Sequence, residues 1–195
     1  MIKVYNILSL LAVVVLLVSC DALDPNKPEN LSFDADYKRI SNDLGYEIFI
    51  PKYMSETEEL NDEASLQYMN GLKETYMIVI DESKEDFISS NQLFGDYNDS
   101  LSVIVNYRNI QLGSFNESLN IVSQSAAKPI KIDGLSAETV DLEATVLGIE
   151  DQIFYMITFI EGKEKVYMIL GWTLASRKNK YKGTFEQSIN SFKEI

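Results

Sequence analysis

No histidine occurs at any of the 195 positions. That removes Ser–His–Asp and Cys–His catalysis, histidine-ligated zinc and the usual proton shuttle near neutral pH. Cysteine occurs once, at Cys20, so no intramolecular disulfide framework can form. The glycines are scattered, none closer together than Gly162 and Gly171, which excludes a P-loop and a dinucleotide-binding fingerprint. Basic residues are few: 17 Lys and Arg stand against 30 Asp and Glu, a net charge of −13. Such a balance favours solubility and repels nucleic acid, so no nucleic-acid partner is expected. Long apolar runs are also scarce. One occurs, Ile7 to Val18, and it ends just before the cysteine.

That opening segment has the parts of an export signal: Lys3, an apolar stretch and the small residue Ser19. Val4 to Val18, interrupted by Asn6 and Ser9, is too short for a spanning helix, which needs roughly 20 apolar residues. Leu17-Val18-Ser19-Cys20 resembles the lipobox of bacterial lipoproteins. The resemblance implies a thioether-linked diacylglyceryl group on Cys20, cleavage before it and acylation of the new amino terminus. Two or more chains anchor stably where one holds only marginally. The competing readings are a plain signal peptide with a free thiol and an uncleaved anchor. Residues 1–19 are then the signal peptide and 20–36 the lipidated cysteine with a flexible tether. Asp24-Pro25-Asn26-Lys27-Pro28-Glu29-Asn30 reads as extended and unfit for a core.

Residues 37–195 read as one globular domain, of a length that suits a single core. Tyr46, Ile48 and Ile50 alternate with Glu47 and Phe49, a strand that Pro51 stops. Gly71-Leu72-Lys73 reads as the turn of a hairpin, and Asp133-Gly134 as another. Ser83, with Asp86 three residues on, is a capping signal for a short helix. A second helix is expected from a cap at Asp99 or Ser100 to a stop at Gly113. Leu142, Ala144 and Val146 alternate with acids, as in a strand with one wet face. Val166 to Leu170 reads as a central strand covered on both faces, with Trp172 in the core. Phe185, Ile189 and Phe192 form one stripe of a closing amphipathic helix.

Taken in order, Gly45-Tyr46-Glu47-Ile48-Phe49-Ile50-Pro51, Gly134-Leu135-Ser136-Ala137, the hairpin Phe154 to Thr173 and Phe185-Glu186-Gln187-Ser188-Ile189-Asn190-Ser191-Phe192 resemble the PsbP-like family. The resemblance implies an α+β fold: an antiparallel sheet flanked by helices on both faces, an α/β/α sandwich. It also implies roles in binding and assembly, with no catalytic residues to carry over.

The remaining candidates for chemistry are carboxylates and surface cations. Glu56, Glu58, Glu59, Asp62 and Glu63 form the densest acidic cluster, read as a solvated loop, with cation binding left open. Asp96 onward fails as a calcium loop, with Leu101 where glycine is required and Tyr107 where the bidentate glutamate belongs. Arg177, Lys178, Lys180 and Lys182 read as a charged helix start that could also meet lipid head groups. The expectation is therefore a non-catalytic binding or assembly module, anchored through Cys20, with an unidentified envelope partner and no metal or other cofactor. A small-ligand or cation carrier is the alternative, followed by a carboxylate-dependent hydrolase. Asp21 and Asp24 after the anchor cysteine resemble both an inner-membrane retention signal and a surface-export signal. An outer-membrane location is expected, facing the periplasm or the cell surface.

Overall fold

The structure, a computed structural model, describes residues 26–41 and 45–195. Its centre is an eight-stranded, wholly antiparallel sheet with five long strands or strand pairs at its heart. The strands that matter below are β4 (Ala64–Asn70), β5 (Thr75–Ser83), β8 (Leu135–Thr145), β9 (Ile153–Glu161) and β10 (Lys165–Leu174). In space β10 lies between β5 and β9, and β9 lies between β10 and β8. The outer edge of β8 is shared by two short strands, β6 (Asn120–Gln124) and β7 (Lys128–Ile132). At the other edge β3 (Ser55–Glu56) pairs with β4. A separate three-stranded sheet joins β1 (Tyr37–Ser41), β2 (Tyr46–Pro51) and β11 (Lys193–Glu194).

Period-two alternation sends the side chains of the central strands into two apolar layers. On one face Met77, Val79, Phe154, Met156, Tyr167 and Ile169 meet Tyr46, Ile48 and Ile50 of the small sheet. The same layer receives Tyr181, Phe185 and Ile189 from α3 (Lys178–Asn190), residues spaced four apart on one helix stripe, and Phe192 just beyond its end. On the other face Ile78, Val140, Leu142, Ile157, Phe159 and Met168 pack under α1 (Lys84–Phe94) and α2 (Val103–Ser118). Phe87 and Tyr107 meet there edge to face, with ring centroids 5.1 Å apart. The expected α+β sandwich, with helices on both sheet faces, is what the chain forms.

Local chemistry explains most element ends. Ser83 caps α1, its hydroxyl accepting the Asp86 N–H at 3.2 Å. Asp133 and Gly134 both take positive φ, 48° and 81°, the two-residue turn that closes the β7–β8 hairpin. Two expectations are corrected. The second helix starts after Ser102, not at Asp99 or Ser100, and it continues through Gly113 to Ser118. Its start is fixed by Asn106, a buried side chain that donates to the Asn98, Leu101 and Ser102 carbonyls and accepts the Asn98 N–H at 2.8 Å. Past Gly113, packing of Leu112 and Phe115 against the sheet outweighs the roughly 1 kcal/mol that a mid-helix glycine costs. The acids of β8 are not simply wet either. Lys182 and Lys178 of α3 reach Asp141 and Glu143 at 2.5 and 2.8 Å.

Between the sheet and the first two helices lies Glu82. Burial, then the charges of Glu63 and Asp86, push its carboxyl above the ordinary value of 4.5. A raised acid contributes stability below its unfolded pKa and loses it as pH rises through the folded one. Glu82→Gln should therefore raise the melting temperature at neutral pH, and the gain should vanish below about pH 4. Melting curves of the two proteins across pH 3–8 that stay parallel would show that Glu82 is not under this strain.

Candidate functional site

Cys20, the signal segment 1–19 and the first residues of the tether lie outside the described residues. From Glu29 onward the expected tether departs from an extended linker, because it is packed on the domain. The Glu29 carboxylate accepts hydrogen bonds from Lys73 Nζ, from the Tyr53 hydroxyl at 3.0 Å and from Thr184 Oγ1 at 3.1 Å. Its own N–H donates to the Lys180 carbonyl at 2.9 Å. The carboxylate side chain is only 9% exposed. Burial, and then the Glu29 charge, push the Tyr53 hydroxyl far above its ordinary range, so it stays a donor. Composition concealed this knot, since its partners come from the β4–β5 turn, the residues after β2 and α3.

Glu29→Gln keeps the size and removes the charge that Lys73 faces. The expected loss is about 1–3 kcal/mol, toward the lower end because Lys73 is about a third exposed. Faster chymotryptic cutting after Leu31 or Phe33, together with a lower melting temperature, would report the release. Unchanged cutting and melting would contradict the docking.

The same β4–β5 turn borders an open hollow at this end of the sheet. Glu74 there holds a left-handed backbone, φ 51°, unusual for a residue with a side chain. Next to it Tyr76, Trp172 and Tyr155 stand in register across β5, β10 and β9. Their rings form a row, with centroids 5.2 Å and 6.3 Å apart and nearly parallel planes. Phe115 of α2 extends the row behind Tyr155. Trp172, expected in the core, is therefore only half-buried: α2 ends its cover at Phe115 and leaves the last cross-strand row open. The cavity measures about 390 Å³, and Val146 and Ile149 of the β8–β9 loop form its far wall. Tyr76 and Tyr155 have hydroxyls shifted upward by burial, with the Glu74 charge adding at Tyr76.

Glu74 is the one acid lining this hollow. Its Oε2 is shielded from solvent without a hydrogen-bond donor, and the nearest cation, Arg177, stays at 4.0 Å. Arg177 instead donates to the Lys73 carbonyl at 3.1 Å. Of the four basic residues read as a charged helix start, Lys178 and Lys182 are tied to acids of β8, and Lys180 lies over the Tyr181 ring. The larger depression, about 680 Å³, lies at the opposite end of β10 and has a mixed charged lining including Lys84, Glu85, Lys163 and Glu164.

The acidic run from Glu56 to Glu63 forms the connection between β3 and β4. It is organised by Gln67, whose amide accepts the Leu60 and Asn61 N–H groups and donates to the Asn61 carbonyl. Among the described residues no three of His, Cys, Asp or Glu gather closely enough to hold a metal ion. Nor, among them, is any helix long and apolar enough to cross a membrane.

No family model matches the sequence, and no curated protein matches it. Solved structures do. Cyanobacterial PsbP (CyanoP) from Synechocystis sp. PCC 6803 superposes with a TM-score of 0.55 at 16% identity, covering 83% of this chain and 94% of that one. LpqN, involved in cell envelope biogenesis of Mycobacterium tuberculosis, gives 0.48 at 8% identity over 80% of this chain and 86% of its own. A protein of unknown function from Pseudomonas aeruginosa, a putative regulator, gives 0.47 at 13% over 80% and 96%. The order of strands, the helices on both sheet faces and the CyanoP superposition agree: this chain has the PsbP-like fold.

Proposed function

We propose that the chain is a non-catalytic binding or assembly module of the cell envelope, anchored through lipid on Cys20 at the outer membrane. The observation that carries this reading is the open aromatic end of a sheet otherwise packed on both faces. The half-buried row of Tyr76, Trp172 and Tyr155 borders the hollow with rings that are apolar in body and polar at the tip, a composition suited to contact surfaces. A lone acid, Glu74, supports binding over hydrolysis, which needs two carboxylates across a cleft. The volume of about 390 Å³ falls within the range of small-ligand pockets, which keeps a carrier as the second reading.

A photo-crosslinking residue placed at Ile149 in intact cells tests this. Adducts with protein or lipid are expected there, well above those from the same residue at Glu59 in the acidic loop. Adducts at Glu59 alone would move the contact surface elsewhere. Protease treatment of intact cells separates the two orientations. Cutting within the Glu56–Glu63 loop puts the domain on the cell surface, and protection beside a cleaved surface control puts it in the periplasm.

A further inference from the structure

The hollow and the docked N-terminal segment share one end of the domain, and that end carries bare apolar side chains. Leu72 at the tip of the β4–β5 turn is 94% exposed. Leu147 at the tip of the β8–β9 loop is fully exposed, and Ile149 beside it is 45% exposed. The sheet register sets both tips at the same end: Tyr76 and Tyr155 each pair with Trp172, and Ile153 pairs with both Leu174 and Ala144. Large apolar side chains reaching past the Tyr–Trp–Tyr row are unfavourable in water and need a cover.

Chain length says what that cover is, given lipid on Cys20. The domain is gripped at Glu29, through Lys73 of this same turn and the backbone of Lys180. The residues between Cys20 and Glu29 span at most about 30 Å, and less if they are not fully stretched. The grip thus shortens the tether that the sequence suggested and holds this end, not the opposite one, toward the acyl chains. Tyr and Trp settle at the head-group level of a bilayer, where an amphipathic ring is half wet. Lys180 on the same rim has a stem long enough to keep its charge in water, while Lys73 stays paired with Glu29 and Arg177 with the turn carbonyls. Glu74 and Glu150 at this end hold the contact shallow and disfavour an anionic leaflet.

We infer that the end of the domain bearing Leu72, Leu147, Ile149 and Trp172 rests on the bilayer, with a zwitterionic lipid surface as its partner. This inference rests on the lipid-anchor reading above and assigns the partner of the aromatic end. The docked Glu29 acts as the latch that sets the orientation.

Trp172 is the only tryptophan in the chain, so its emission reports on this face alone. The full lipidated chain, purified from cells and reconstituted in phosphatidylcholine vesicles, is compared with and without bromine on the acyl chains near the head group. Flotation of the vesicles is scored in parallel. The expected result is flotation with the vesicles and a severalfold loss of Trp172 emission in brominated lipid. A Leu72→Asp/Leu147→Asp chain should still float, with most of the emission restored. A Leu93→Asp/Phe94→Asp chain, altered at exposed apolar residues of α1, should be quenched like the wild type. All four substituted side chains are exposed, and unchanged melting of each variant confirms that the fold is kept. Flotation with equal emission in both lipids overturns the bilayer contact and leaves the anchor standing. Quenching that the Leu72/Leu147 variant does not relieve also overturns it. Failure to float overturns the anchor and, with it, this inference.

Discussion

Phe185→Ala is expected to destabilise the domain by about 3–5 kcal/mol, the cost of emptying a fully buried aromatic site. Phe185 is 0% exposed and sits at the centre of the layer between α3 and the main sheet. The figure is a large part of the 5–15 kcal/mol typical of a whole domain. The contact beneath it explains why position 171 is glycine. A Cβ there would lie 2.7 and 2.8 Å from the Phe185 ring atoms Cγ and Cδ1, closer than real side chains pack. Gly171→Ala alone should cost about 1–3 kcal/mol through overpacking, because helix and strand must move apart. The two changes together should cost less than their sum, since the alanine methyl enters space that Phe185 has left. Chemical denaturation of the four proteins measures this coupling. Simple additivity would mean that α3 does not sit on Gly171.

Cys20→Ala should abolish incorporation of labelled palmitate completely. The chain has no other cysteine to accept a thioether, so no partial effect is expected. The precursor should accumulate with its leader still attached. Label in the mutant would place the lipid elsewhere or refute it. The effect is all-or-none because the thioether needs a thiol, and Cys20 carries the only one.

The strands were legible where one physical rule acted alone. Tyr46, Ile48 and Ile50 alternate because one side of β2 is buried and the other is not. Asp133-Gly134 announces its turn because few dipeptides adopt two positive φ values without strain. Phe185 and Ile189 show their stripe because four residues bring a helix back to the same face. The candidate site was less legible, for reasons of distance. Glu29 sits among prolines and polar residues, and nothing local tells that Lys73, Tyr53 and Thr184 converge on it. Alternation puts Trp172 on a definite sheet face but cannot say where the covering helices stop. That limit is set by α2 and its end beside the open row. The signal that could have found the hollow was the pairing of Tyr76, Trp172 and Tyr155, visible only once strand register is known. Arg177 likewise reads as part of a charged helix start, and its reach to the Leu72 and Lys73 carbonyls shows only in three dimensions.

The proposal places a lipid on Cys20 that holds this domain, aromatic end first, at the envelope membrane. The most direct test is the intact mass of the chain purified from its own membranes, with fragmentation of its amino-terminal peptide. The expected species begins at Cys20 and carries a diacylglyceryl thioether there. A chain beginning at Met1, or one beginning at Cys20 with a free thiol, would contradict it.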